Sequence, residues 1–394
     1  MRKFCRPPSH RLFGLLLLLI MSMSGQRAYS MNPADESMLT PSPSPSPPPS
    51  AAAPVRHVFV IVLENEPYPT TFGERSPAPY LAHELPKQGA LLDQYFGIGH
   101  YSLDNYIAMI SGQAPNSATQ ADCSVYGEFN RNTPGLDANG QALGEGCIYP
   151  ADVKTLADQL NAAALSWKGY MEDMGADPAR ESAGCGHAAI GDPDHTNHAS
   201  SKDQYADKHD PFVYFHSIID DPLYCSQHVV NLERLVKDLQ YVRTTPNFSF
   251  ITPNLCNDGH DVPCKNGEPG GLIAADAFLR VWVPRILASP AFRLDGLLVI
   301  TFDEGTDAQV CCYERGLPGA PPPGRFGTGG GRIGAVLLSP FIAPGTLAST
   351  PYNHYSLLRT VEDFFELPHL GYAGAPQLQT LGNDVFTRAP KIAR

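Results

Sequence analysis

Positive charge is scarce in this chain: of its 394 residues, 28 are lysine or arginine, against 40 aspartate or glutamate. A net-acidic surface has no global attraction for nucleic acid or for an anionic membrane, so neither is expected as a partner, and only a local basic patch would change that. Paired CxxC motifs are missing, which speaks against a structural zinc site. No internal repeat is visible, which leaves a solenoid or propeller without support. Long apolar runs are also missing, apart from residues 12–21, and that run is too short to span a bilayer comfortably. What remains is an ordinary globular balance, 43% hydrophobic and 17% charged, with 38 prolines and 35 glycines to supply loops.

The one apolar run belongs to a leader. Arg2, Lys3, Arg6 and Arg11 precede or open it, and the small-residue site Ala28-Tyr29-Ser30 follows. This is the layout of a secretory signal peptide over residues 1–30, so the expected location is secreted or periplasmic, with no stable membrane insertion after cleavage. Cys5 lies before the apolar run, which argues against lipid attachment there. The leader holds five of the 28 basic residues and no acid, which leaves 23 against 40 and a net charge of −17. Residues 31–54 contain a Pro/Ser run, from Pro41 to Pro49, that forms an extended linker and cannot build a core. A single catalytic domain is expected over residues 55–394. Its eight cysteines, an even number in an exported chain, point to disulfides, and proximity suggests Cys123–Cys147 and Cys256–Cys264.

Four apolar, β-branched runs read as strands covered on both faces: His57–Leu63, 247–251, Gly296–Phe302 and 333–338. Helical patterns occupy 105–110, 153–164, 274–287 and 355–365. Strands alternating with helices predict an α/β fold with a mostly parallel sheet, and ligands bind such sheets beyond the carboxyl ends of the strands. The first strand ends in Leu63-Glu64-Asn65-Glu66 and the third in Phe302-Asp303-Glu304-Gly305. Acids at two strand ends can share one crevice, and carboxylate and amide oxygens suit a hard divalent cation. Either acid alone would read as a loop or helix cap. The adjacency of Asp303 and Glu304 does not suit a glycosidase pair, because neighbours on an extended chain point to opposite faces. Ser102 stands where a helix should start and Gly112 where it should end. Taken alone, that is an ordinary serine cap. Beside a cation held by Glu64 and Asp303, the same hydroxyl becomes a nucleophile, with helix N–H groups to hold a phosphate.

Together the segments resemble the phosphoesterase family, which includes bacterial acid phosphatases and non-haemolytic phospholipases C and belongs to the alkaline phosphatase-like superfamily. The resemblance rests on five ordered blocks: Val60-Ile-Val-Leu-Glu64-Asn65 followed by Phe72-Gly73; Ser102-Leu-Asp-Asn105-Tyr-Ile-Ala-Met-Ile-Ser-Gly112; Ile251-Thr-Pro-Asn254-Leu-Cys-Asn257-Asp258-Gly-His260-Asp261; Val299-Ile-Thr-Phe-Asp303-Glu304-Gly305; and Tyr352-Asn-His354 through Arg359 to Glu362-Asp363. It implies an alkaline phosphatase-like sheet sandwiched between helices. It implies that Glu64, Asn65, Ser102, Asp303 and Glu304 surround a metal, that Asn105 binds a phosphoryl oxygen, and that Asp258, His260 and His354 lie near a second metal or the leaving group. Superfamily members often carry Asp-His where Asp303-Glu304 stands. The more oxygen-rich set here shifts the expected divalent ion from zinc towards calcium, magnesium or manganese.

The expected activity is phosphomonoester hydrolysis of a small phosphorylated substrate through a phosphoseryl intermediate on Ser102. The length favours this over a phosphodiesterase or phospholipase C, whose relatives are longer. A non-catalytic binding protein on the same fold is the third reading. A sulfatase is not expected, because the Cys/Ser-x-Pro-x-Arg signature is absent around Ser102. His100 is a further candidate. Of the histidines in the polar insertion (His187, His195, His198, His209 and His216), His209 stands out, because Lys208-His209-Asp210-Pro211-Phe212 resembles another family block. The run 327–331 reads as a flexible lip rather than a phosphate-binding loop.

Overall fold

The computed structural model describes residues 54–312, 314–317, 320 and 329–388. The leader, nearly all of the linker, and positions 327 and 328 of the glycine-rich run lie outside the described residues. Eight strands form the main sheet: β1 His57–Leu63, β2 Ala90–Leu92, β3 Trp167–Met171, β4 Val229–Asn231, β5 Phe248–Thr252, β6 Gly296–Phe302, β7 Ala335–Leu338 and β8 Thr346–Ala348. Their order is β8-β2-β7-β6-β1-β5-β3-β4. Only β7 runs against its neighbours, β6 and β2, and every other pairing is parallel.

Strands β1, β5 and β6 are buried along their whole length, so both faces of the sheet centre are covered. Continuous Val, Ile, Leu and Phe make this possible, since every alternate position meets a covering layer. Phe59 of β1 meets Phe292 at a ring separation of 6.5 Å. The helices that matter for the site are α1 Ser102–Ser111, α2 Leu156–Ala162, α3 Gly271–Ala288 and α4 His354–Phe365. Helices α1 and α4 pack against each other.

The mostly parallel α/β sheet matches the expectation from the sequence, with differences that have physical causes. The fourth expected strand shortens to Ala335–Leu338 and lies antiparallel, after a chain reversal in which Gly334 has φ 75°. Four strands of the main sheet were not expected. Three of them span three residues each, too short for a period, and Lys168 and Gly169 interrupt the apolar pattern of the fourth, β3. Helix α2 starts later than expected because Thr155 and Asp158 close a capping box: the Asp158 N–H donates to Thr155 Oγ1 at 3.3 Å and the Thr155 N–H to Asp158 Oδ2 at 2.8 Å. Both suggested disulfides are present, joined by Cys185–Cys225 and the adjacent pair Cys311–Cys312.

Candidate active site

Strand register builds the site. Leu63 of β1 lies opposite Phe302 of β6, so Glu64 and Asp303, each the next residue, leave the sheet side by side. The Asp303 N–H still donates to Leu63 O at 2.9 Å, which holds the two strand ends together. The chain turns at Asn65, whose φ of 60° is a left-handed conformation that asparagine tolerates better than most residues. That turn aims the Asn65 N–H at Asp303 Oδ1 (3.0 Å) and its Nδ2 at Glu64 Oε2 (2.8 Å).

Helix α1 enters the same crevice. Its cap is Tyr101 rather than Ser102: Tyr101 has φ 84° and makes no side-chain cap bond, while Ser102 is the first helical residue. A tyrosine in that region is strained, and such strain persists only where surrounding contacts hold it. Here the Tyr101 N–H donates to Glu304 Oε2 at 2.8 Å. The Ser102 hydroxyl, not used as a cap, donates to Glu64 Oε2 at 3.1 Å. Glu64, Asn65, Ser102, Asp303 and Glu304 thus line the same crevice, linked pairwise by these hydrogen bonds.

Asn105, expected to bind a phosphoryl oxygen, bonds to the loop that precedes Ser102. Its Oδ1 accepts from the Ile98 and Gly99 N–H groups (2.8 and 3.2 Å), and its Nδ2 donates to Gly99 O and Tyr101 O (3.0 and 3.1 Å). Both amide hydrogens are committed to the loop that shapes Ser102. His354 is also committed: Nε2 pairs with Asp303 O at 2.6 Å and Nδ1 with the Tyr95 hydroxyl at 3.2 Å. It is fully buried, and burial pushes its pKa down to about 4, so it props the Asp303 backbone as a neutral ring. The first-turn Leu103 N–H donates to Asp122 Oδ1 at 3.1 Å. His260 donates its N–H to Asp258 Oδ1 (2.8 Å) and pairs its ring with Asp261 (2.9 Å), half-exposed at the rim.

The polar insertion contributes more than the sequence showed. His209 lies 2.9 Å from Glu64 Oε1 through Nε2 and 3.3 Å from Asp258 Oδ2 through Nδ1, which links Asp258 to the cluster. Its ring stacks on Tyr106 of α1 at 5.0 Å. Burial lowers its pKa to about 4. Lys208, singled out only as part of a motif, is buried with its ammonium 3.1 Å from Asp122 Oδ2. Burial opposes its charge, but the carboxylates of Asp122, Glu64 and Asp303 raise its pKa overall. His100 pairs with Glu304 Oε2 at 2.8 Å and reaches Asp307 O at 2.9 Å. The other insertion histidines sit elsewhere: His195 and His198 are exposed, His187 stacks on Tyr126, and His216 pairs with Glu128 and Asp220.

Burial raises the carboxyl groups: Glu64 and Glu304 to about 7, Asp258 to about 6, and Asp303 well above the usual range with Glu64 adding to the effect. Asp303 Oδ2 is buried with no hydrogen-bond partner among the described residues. Several acids gathered without a compensating cation are costly, so the donor set fits a hard divalent ion. The set is open: among the described residues, no three His, Asp or Glu ligand atoms of this cluster lie within 4.8 Å of one another.

Fold and site together define an α/β protein with a helix-borne serine amid carboxylates at the carboxyl ends of a mostly parallel sheet. Residues 74–368 match the model of the phosphoesterase family, and the chain belongs to that family. It is 29% identical over 291 residues to a phosphate-repressible acid phosphatase of Penicillium chrysogenum, covering 73% of this chain and 55% of that protein. It is 28% identical over 332 residues to a phosphatidylinositol-3-phosphatase of Mycobacterium tuberculosis, covering 83% of each. The chain thus spans little more than half the length of the fungal relative. A solved protein of the alkaline phosphatase superfamily from Vibrio parahaemolyticus superposes with a TM-score of 0.49 at 11% identity, covering 85% of this chain and 73% of that one.

Proposed function

We propose that this chain is an exported phosphomonoester hydrolase acting through a phosphoseryl intermediate on Ser102. The observation that carries the reading is the Ser102 hydroxyl, held by the strained Tyr101 turn and donating to Glu64 Oε2 at 3.1 Å inside the buried acidic cluster. The names of the fungal and mycobacterial relatives, both phosphatases, favour a monoester over a diester. Four disulfides fit an oxidising compartment, as the leader of residues 1–30 suggests.

Glu64, Asn65, Asp303, Glu304 and Ser102 would hold a divalent cation, with calcium, magnesium or manganese suiting these oxygens better than zinc. When bound, it would supply positive charge beside Ser102 Oγ and a phosphoryl oxygen. Ser102 Oγ forms the bond to phosphorus while the ester oxygen departs and takes up a proton. The hydroxyl proton leaves along the hydrogen bond to Glu64. Lys208 adds a fixed positive charge to an otherwise acidic crevice, where a phosphoryl dianion must be balanced. Neutral His209 orients Glu64 from the far side, and Asn105 keeps the 98–101 loop in place. Water then cleaves the phosphoserine, and His260 at the rim is the histidine with freedom to assist.

Ser102→Ala should abolish hydrolysis of p-nitrophenyl phosphate, assayed with calcium, magnesium or manganese supplied, while circular dichroism stays that of the parent. Retained turnover in this variant would remove the serine mechanism. Faster cleavage of bis(p-nitrophenyl) phosphate than of the monoester by the parent would instead favour the diester reading.

A further inference from the structure

A second acidic site lies within the polar insertion, apart from the Ser102 cluster. Asp194 and Asp207 bring their carboxyl groups together, Asp207 fully buried and Asp194 6% exposed. Neither oxygen of Asp207 nor Oδ2 of Asp194 has a hydrogen-bond partner among the described residues. Thr196 donates its hydroxyl to Asp194 Oδ1 at 2.7 Å and stands beside Asp207. Tyr214, whose buried hydroxyl is also unpartnered, feels the charges of Asp207 and Asp194 more than any others. A third acid, Asp210, is close by. The neighbouring cation does not neutralise the pair, because Lys208 directs its ammonium to Asp122 at 3.1 Å. Burial, followed by the charge of Asp194, pushes the Asp207 pKa well up. Facing carboxylates in a dry site are sustained only by a proton or by a cation.

We propose that Asp194 and Asp207, with the hydroxyls of Thr196 and Tyr214, form a binding site for a calcium ion distinct from the Ser102 centre. Carboxylate and hydroxyl oxygens without nitrogen or sulfur suit this ion. The position gives the site a purpose. Asp207, Lys208 and His209 form one short 3₁₀ turn, so an ion on Asp207 fixes the turn that presents Lys208 and His209 to the acidic cluster. On the other side, Asp194 leads into Asn197, whose Oδ1 accepts the Lys208 N–H at 3.2 Å and whose Nδ2 donates to Asp122 O at 2.6 Å. The ion staples the insertion to the turn it serves.

The test separates this site from the first one. Asp303→Asn protein and the Asp303→Asn/Asp207→Asn double variant are stripped with chelator, then titrated with calcium chloride by equilibrium dialysis and thermal unfolding. The expected result is that the double variant retains one calcium fewer per chain and loses a calcium-dependent rise of several degrees in Tm that the single variant keeps. Asp194→Asn in place of Asp207→Asn serves as the second variant, because it alters the opposite wall and leaves the Lys208 turn intact. Equal calcium retention and equal Tm response across all three proteins would overturn the proposal and assign the pair a shared proton. Because the readout is binding, it is independent of whether Ser102→Ala retains turnover.

Discussion

Glu64, Asp258 and Asp303 are acidic groups held where burial disfavours their charge. Their folded pKa values lie above those of the unfolded chain, with Glu64 at about 7 against 4.5. Between those two values the folded state binds more protons than the unfolded state. The metal-free protein should therefore lose stability as pH rises from about 4.5 to 7. Asp303→Asn removes one buried ionisable group from the cluster and should raise the metal-free Tm at pH 7 while abolishing p-nitrophenyl phosphate hydrolysis. Added divalent cation should then raise the Tm of the parent more than that of the variant. Unfolding scans at pH 5 and pH 7, with and without cation, check both signs. A variant less stable than the parent at pH 7 without cation would mean that the Asp303 carboxylate is not under the repulsion described here.

Helix α4 carries a buried acid outside the cluster, for a different reason. Glu362 accepts the Leu370 N–H on Oε1 at 2.8 Å, which ties the helix to the segment after it. Its Oε2 and the nearby Gln159 Oε1 both lack hydrogen-bond partners among the described residues. Burial, with Asp363 adding to it, pushes Glu362 up to about 9. Glu362→Gln keeps the acceptor for Leu370 and offers an amide hydrogen to Gln159. It should stabilise the protein at pH 8 by about 1–3 kcal/mol. The gain should shrink below about pH 4.5, where the carboxyl group is protonated in both states. Urea unfolding at the two pH values measures it. Helix α1 ends where the sequence said it would, because Gly112 takes φ 66° and a Cβ there would meet Leu370 O at 2.2 Å. Its cap was misread as Ser102, where the helix begins one residue after the actual cap, Tyr101. A serine before an apolar helix has the chemistry of a cap, and nothing local shows that its hydroxyl has a better acceptor in Glu64, 38 positions away.

For the whole molecule, disulfides hold regions with little regular structure. Cys185–Cys225 spans 40 positions and ties the insertion to the helix Pro222–His228 beside β4. Replacing both cysteines with serine should lower stability by about 2–4 kcal/mol, read as a lower urea midpoint. An unchanged midpoint would show that the insertion is held by its packing alone. This pairing was not legible in the sequence, because nearness along the chain finds only short loops. Cys311–Cys312 was missed for another reason, since neighbouring cysteines also read as separate thiols.

The sequence by itself determined the sheet centre, its strand-end acids and the family. Unbroken apolar runs can only be satisfied by burial on both faces, and the residue after such a run must emerge at a strand end. Only the tertiary structure decided which residues meet there. The register of Leu63 with Phe302 set Glu64 beside Asp303, and the return of the insertion placed Lys208 and His209 against them. It also bonded Asn105 to the Ser102 loop and His354 to the Asp303 backbone. The physical reason is that a polar side chain's role depends on which acceptor or charge reaches it first in three dimensions, and spacing along the chain carries no record of that.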